Sequence, residues 1–253
     1  LALMLPLCAF AQYDGTPMNK TGDTKKAETA VRTDKYPHSD NDWENFDVLH
    51  INRLPSAATF MAYTTKEKAV KNDKSQSEYF QSLNGTWKFQ FVPRSDQRPM
   101  DFFEKGHDVS GWGNIKVPAN WEMEGYGHPF YVGAGYGIKR NPPLIAVENS
   151  PVGSYKRTFN VPANWKGKQI VLHFGGVASA FYVWVNGEKV GYSQDSKTPS
   201  EFDITPYAVT GQNEIAVQVF KFSDGYYLED QDYWRFAGIQ LSLIHISEPT
   251  RPY

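Results

Sequence analysis

Apolar and polar residues alternate with a period of two along much of the chain. Near residue 90, Trp87, Phe89 and Phe91 alternate with Lys88 and Gln90, the pattern of a strand with one buried face. Similar short segments follow, joined by Gly, Pro and Asn: residues 115–117, 154–161, 169–174, 181–185, 188–192 and 214–220. No long segment outside the loops has a helical period. The sequence therefore predicts an all-β fold, an antiparallel β-sandwich of the jelly-roll type.

Two turn signals connect these strands. Asn186-Gly187 separates two predicted strands and tolerates the positive φ angles of a type I′ turn, so it predicts a hairpin. Further along, Thr205 as the cap and Pro206 at the first helical position predict a brief helical turn that ends at Gly211. Asp203 is a second candidate for the cap of that turn.

The first eleven residues are apolar and end in Ala9-Phe10-Ala11, the small-x-small pattern after which signal peptidase cuts. A bilayer needs roughly twenty apolar residues, so residues 1–11 are interpreted as a partial signal peptide and the protein as exported, periplasmic or extracellular. Cys8 is the only cysteine, and we expect the mature protein to contain no disulfide.

Residues 12–41 are polar and charged without apolar periodicity, which predicts a disordered arm. Residues 42–63 carry aromatic and aliphatic anchors without a regular period and are expected to lie across the surface of the domain. The last segment, residues 241–253, reads LSLIHISEPTRPY and resembles the translation of a sequencing adapter. We expect it to be a non-native tail that leaves the sandwich without its closing strand after Ile239.

The composition and residue spacing argue against nucleic-acid, metal and phosphate binding. The chain is 40% hydrophobic and 21% charged, with a formal net charge of −2. It has no basic surface to attract nucleic acid. The histidines show no pair at metal-ligand spacing, and Gly133 to Gly137 are not followed by the Lys-Ser or Lys-Thr of a phosphate-binding loop.

Acidic and aromatic residues have two interpretations each. Glu229, Asp230 and Asp232 are candidates for a catalytic pair or a cation site. The favoured interpretation is that they form an acidic loop, balanced by the positive charge of Arg235, and make structural hydrogen bonds. The tryptophans are candidates for stacking on sugar faces, although a core position is favoured in a β-sandwich. They are Trp87, Trp112, Trp121, Trp184 and Trp234.

Several blocks identify a family resemblance. In order, they are DWENFDVLHINR, SLNGTWKF, VPANWEMEGYGHPFY, NSPVGSY, VNGEKVGYSQDSKTPSEFD and SDGYYLEDQDYWRFAGI. Over residues 42–239 the chain resembles the N-terminal portion of bacterial β-galactosidases of glycoside hydrolase family 2. The resemblance implies a jelly-roll sugar-binding domain over residues 42–240. In the family an immunoglobulin-like domain and a (β/α)₈ barrel follow, and the barrel carries the two catalytic glutamates of a retaining mechanism.

The resemblance also assigns one site residue and removes another. It implies that Asp195, in Ser193-Gln194-Asp195-Ser196, contacts galactose hydroxyls and a monovalent cation. A turn-forming Asp after a strand is the alternative. The family's better-known members have an Asn that reaches the galactose where this chain has Gly133, and glycine has no side chain to make that contact.

Three hypotheses follow for function. The chain is the N-terminal part of an exported β-galactosidase, a stand-alone carbohydrate-binding module, or an inert scaffold. For the first, no catalytic residue and no cofactor is expected within this chain, whereas the complete enzyme is expected to use Mg²⁺ and Na⁺. The expected partners are a β-galactoside or oligosaccharide, the other domains of the same protein and a second copy in a homo-oligomer, with no nucleic acid and no membrane span.

Overall fold

The computed structural model describes residues 37, 39–58, 61–133, 137–229 and 232–242, all within the compact unit of residues 36–253. The predicted signal peptide, the arm up to residue 36 and the tail beyond residue 242 lie outside the described residues. The strands are β1 His50–Ile51, β2 Gly85–Val92, β3 Gly113–Val117, β4 Phe130–Val132, β5 Val152–Val161, β6 Val171–Ala178, β7 Ala180–Val185, β8 Glu188–Gln194, β9 Ser200–Asp203, β10 Gly211–Phe220, β11 Tyr233–Arg235 and β12 Gly238–Ser242. Helix α1 spans Lys66–Lys71, and the remaining helical segments are short 3-10 turns.

All strand pairs are antiparallel. Seven strands form one sheet in the order β1-β8-β7-β10-β5-β2-β3, three form a second in the order β12-β6-β9, and β11 pairs with β4 in a two-stranded ribbon. Side chains of both larger sheets share one buried apolar cluster. Between the sheets, Phe181 of β7 contacts Phe174 of β6 and Phe202 of β9, with ring centroids 4.9 and 5.9 Å apart. The predicted all-β sandwich is confirmed.

The large sheet is buried on its outer face as well. A second apolar cluster covers that face, and residues 42–51 contribute to it. Trp43 stacks on Phe220 with ring centroids 4.1 Å apart and an interplanar angle of 18°, and Asp42 accepts a hydrogen bond of 2.6 Å from the Tyr182 hydroxyl. The expectation that this N-terminal segment lies across the domain surface is confirmed, and β1 extends it by pairing with β8.

The turns agree with the sequence in one case and differ in the other. Asn186 and Gly187 have φ angles of 53° and 89° and join β7 to β8, so the predicted hairpin is confirmed. The prediction of Thr205 as a helix cap is wrong, because its hydroxyl accepts the N–H of Ile170 at 2.8 Å. Asp203 takes the capping role and accepts the N–H of Thr205 at 2.9 Å.

The expected loss of the closing strand is also wrong for residues 238–242. Strand β12 pairs with β6 and includes two residues of the segment interpreted as a non-native tail. On its other side, Ala119 and Trp121 donate backbone hydrogen bonds of 3.0 Å to the carbonyls of Ile239 and Ala237. With Ile239 fully buried, both backbone pairing and side-chain burial hold this strand in the sandwich.

Candidate functional site

Asp195 lies directly after β8, where the strand leaves the large sheet. Its side chain is exposed, and its φ angle of 94° places it in a backbone region that residues other than glycine rarely adopt. Such residues concentrate at functional sites, where the surrounding structure holds them in place. The carboxylate accepts one long hydrogen bond of 3.4 Å from the N–H of Lys197, so the turn interpretation and the ligand interpretation are both compatible with this geometry.

The residues on either side of Asp195 are buried and hydrogen-bonded. Gln194 donates its N–H to the carbonyl of Leu49 at 3.3 Å and its amide to the carbonyl of Val48 at 3.4 Å. Ser196 is only 3% exposed. The sheet edge and the N-terminal segment thus fix the backbone before Asp195, and the contacts of Ser196 fix the backbone after it.

Glu229 holds Ser196 with both carboxylate oxygens. One oxygen accepts the backbone N–H of Ser196 at 2.8 Å, and the other accepts its hydroxyl at 2.6 Å. Hydrogen bonds to an ionised acceptor are among the stronger ones in proteins. The favoured structural role for the acidic loop therefore applies to Glu229, with Ser196 as its partner, while Asp230 lies outside the described residues.

Cationic and aromatic groups pack beside this pair of hydrogen bonds between Glu229 and Ser196, which we call the Glu229 clamp. The Arg235 guanidinium is buried, with its central carbon 4.2 Å from the Tyr233 ring centroid and 5.0 Å from that of Tyr226. Lys197 donates to the Gln240 side chain at 2.9 Å, and burial lowers the pKa of its ammonium. The hollow that these groups line holds about 10 Å³, too little for a sugar ring. Asp195 does not line this hollow, and its side chain is exposed at the surface.

Gly133, the position where the resemblance implies an Asn, directly follows β4 in the ribbon of β4 and β11. A Cβ added to Gly133 would lie 3.4 Å from the Tyr131 ring and 3.7 Å from a carboxylate oxygen of Asp232. Asp232 accepts a hydrogen bond from the Tyr131 hydroxyl. A tyrosine and a carboxylate thus border the space beside Gly133.

Trp234 corrects one expectation. Trp87, Trp121 and Trp184 are buried as expected and Trp112 is partly buried, but Trp234 is 52% exposed. It lies opposite Tyr131 in the ribbon, on the face turned away from the buried Val132 and Arg235. The predicted core position of Trp234 is therefore wrong, because a two-stranded ribbon buries only one of its faces.

Asp224 was not a candidate from the sequence. It is 1% exposed, and one of its carboxylate oxygens has no hydrogen-bond partner among the described residues. Burial raises its pKa to about 6, and the nearby Glu44 adds to the rise, while bonds from Gly225 and Gln194 oppose it. Because Gln194 precedes Asp195, this buried carboxyl lies beneath the loop that presents Asp195. Its position in Ser223-Asp224-Gly225 was the only sequence signal, and that signal is equally typical of a turn.

The donor set for a metal is sparse. Among the residues that the structure describes, no group of three His, Cys, Asp or Glu side chains is placed to hold an ion. Na⁺ and Mg²⁺ prefer several oxygen ligands. Around Asp195 the described residues supply no such set of side chains.

Comparison with known proteins decides the family. The sequence profile described as "Glycosyl hydrolases family 2, sugar binding domain" matches residues 80–249. The chain belongs to glycosyl hydrolase family 2. This family 2 chain is 43% identical to a β-galactosidase of Priestia megaterium over 236 residues, covering 92% of the chain and 22% of that protein. It is 44% identical to a β-galactosidase of Halalkalibacterium halodurans, covering 80% of the chain and 20% of that protein. A solved structure of Bacteroides uniformis β-glucuronidase 2 covers 65% of the chain and 17% of its own, with 23% identity and a TM-score of 0.49.

The family 2 chain spans about a fifth of the length of these curated relatives. Its described residues form the antiparallel sheets of the sugar-binding domain, and no (β/α)₈ barrel is found among them. In the same residues, no helix is both long and apolar enough to cross a membrane.

Proposed function

We propose that this domain forms one wall of the substrate site of a β-galactosidase that hydrolyses terminal β-galactosides with retention, and that Asp195 binds the galactose. Curated β-galactosidases at 43% and 44% identity support the activity. The catalytic pair belongs to a different part of the complete enzyme. The 253-residue chain on its own is proposed to be inactive, and the parent enzyme to be exported.

The exposed carboxylate of Asp195 carries the proposal. Its two oxygens can each accept a hydrogen bond, which suits the neighbouring hydroxyls of a pyranose, and charge-assisted bonds of this kind are stronger than neutral ones. The buried neighbours Gln194 and Ser196 fix the backbone from which it projects, so little ordering is required when a sugar binds. A monovalent cation that shares this carboxylate with the sugar, completed by ligands from the rest of the enzyme, is part of the proposal.

The test is kinetic. In the complete enzyme that carries this domain, Asp195→Ala is expected to raise KM or lower kcat for a chromogenic β-galactoside, with the effect falling on kcat/KM. Losing a charge-assisted hydrogen bond corresponds to roughly a tenfold to hundredfold loss. Unchanged kinetics would remove Asp195 from the site. The isolated chain is assayed in parallel, and turnover that survives purification would overturn the assignment of the catalytic pair to another domain.

A stand-alone carbohydrate-binding module is the second candidate, since the fold alone permits it. Binding of methyl β-D-galactoside to the isolated chain, measured by saturation-transfer NMR, separates the two. Tight binding without the rest of the enzyme favours the module, and weak binding is expected for an open wall.

A further inference from the structure

We propose that Glu229 is the positioning residue for Asp195. This inference rests on the proposed function of Asp195 and adds a specific cause for the conformation of its loop. Glu229 contacts Ser196, so its proposed influence on sugar binding passes through the backbone of the residue next to Asp195.

The geometry of the clamp supports this role. Glu229 ends a 3-10 helix, Asp224–Leu228, and reaches Ser196 across 33 residues of sequence. It binds the serine at two atoms, the backbone N–H at 2.8 Å and the hydroxyl at 2.6 Å. Two bonds from a single carboxylate fix both the position and the rotation of the peptide that follows Asp195.

The conformation of Asp195 explains why a clamp is required. With φ at 94°, this residue adopts a backbone conformation that is unfavourable for a side chain bearing a Cβ. Its carboxylate accepts one hydrogen bond within the turn, from the Lys197 N–H, and at 3.4 Å this bond is long and therefore weak. The flanking anchors at Gln194 and Ser196 are the contacts that maintain it, and that at Ser196 is charge-assisted.

Cationic side chains lie near the carboxylate of Glu229. Lys197 and Arg235 lie close enough to interact electrostatically with each other, and Glu229 favours the charged form of Lys197. Glu229 therefore has cationic neighbours in addition to the two donors of Ser196. A shortened side chain at position 229 would lose both bonds to Ser196 and release the loop.

The experiment is a double-mutant cycle in the complete enzyme with a chromogenic β-galactoside. Glu229→Ala is expected to raise KM by roughly tenfold or more, the loss typical of a charge-assisted hydrogen bond. Glu229→Gln, which can still accept the Ser196 N–H, is expected to recover most of the affinity. Glu188→Ala, which changes an exposed glutamate at the start of β8, is the matched control and is expected to leave KM unchanged.

The Asp195→Ala background distinguishes positioning from a general structural effect. If Glu229 acts through Asp195, adding Glu229→Ala to Asp195→Ala produces no further rise in KM. Multiplying effects in the double variant, or a wild-type KM in Glu229→Ala, would overturn the positioning role while leaving Asp195 as a ligand. If Asp195→Ala itself has no effect, the proposed function fails first. Should Glu229→Ala not fold, Ser196→Ala removes one of the two bonds and is expected to give a smaller rise in KM.

Discussion

Asp224→Asn is expected to make the stability of the domain less dependent on pH. The carboxyl of Asp224 is buried, and its pKa in the folded protein is about 6, compared with 3.8 for an ordinary aspartate. The unfolded chain therefore loses this proton near pH 4, whereas the folded protein keeps it until about pH 6. Over that window the folded state binds more protons, so its stability falls as pH rises.

The magnitude follows from the two pKa values. Each pH unit between them corresponds to about 1.36 kcal/mol, so the rise from 3.8 to about 6 costs the folded state about 3 kcal/mol at neutral pH. An asparagine has nearly the same shape and carries no charge. Asp224→Asn is therefore expected to raise the free energy of unfolding near neutral pH by up to about 3 kcal/mol, and to have little effect below about pH 4.

Urea unfolding followed by tryptophan fluorescence, repeated between about pH 4 and pH 8, measures this difference. Asp108→Asn is the control, because Asp108 is exposed and hydrogen bonds from Ser110 lower its pKa. The Asp108 carboxyl contributes to the free energy of unfolding with the opposite pH dependence. Its stabilising contribution is present above the pKa of an aspartate in the unfolded chain and is lost as pH falls. A difference between wild type and Asp224→Asn that stays constant across this range would refute the reasoning, because it would show that the carboxyl does not change protonation between pH 4 and pH 6.

Two further substitutions test the packing. Lys221→Met is expected to lower the free energy of unfolding by about 3–5 kcal/mol, because it leaves its partner Glu122, 2.6 Å away, as a buried unpaired charge. Adding Glu122→Gln should recover part of that loss. If a denaturant titration shows that the losses from the two substitutions simply add, the explanation is wrong. Gly153→Ala is expected to cost about 1–3 kcal/mol, because the new Cβ would overlap the Trp121 ring and lie 2.8 Å from Phe89; an unchanged melting temperature would show that these rings move aside freely.

The strands were predictable where one physical rule dominates. The alternation of apolar and polar residues predicted β2 and β10, because apolar side chains at every second position share one face of a strand. Asn186-Gly187 predicted the β7–β8 hairpin, because the tolerance of these two residues for positive φ angles does not depend on distant parts of the chain. Burial of the sheet on its second face was less visible, since it depends on residues 42–51 folding back over strands more than one hundred residues away.

The candidate site was predictable only in part. Asp195 was found through the family resemblance, and its left-handed backbone and its anchors depend on tertiary contacts. The bond from Ser196 to Glu229 spans 33 residues, and no local pattern reports such a pair. Thr205 was misassigned for the same reason, because its hydroxyl accepts the N–H of Ile170, which lies just before β6 and 35 residues away.

The N-terminal segment changes where this domain physically begins. The family profile starts at residue 80, yet Trp43 covers Phe220 and β1 occupies the free edge of β8. A recombinant domain cut at the profile boundary would expose a broad aromatic surface and an unpaired strand edge, both of which promote aggregation. It would also remove the carbonyls to which Gln194 donates, immediately before Asp195. The folded domain thus begins some forty residues upstream of the profile, and so does the set of contacts that supports the proposed Asp195 site.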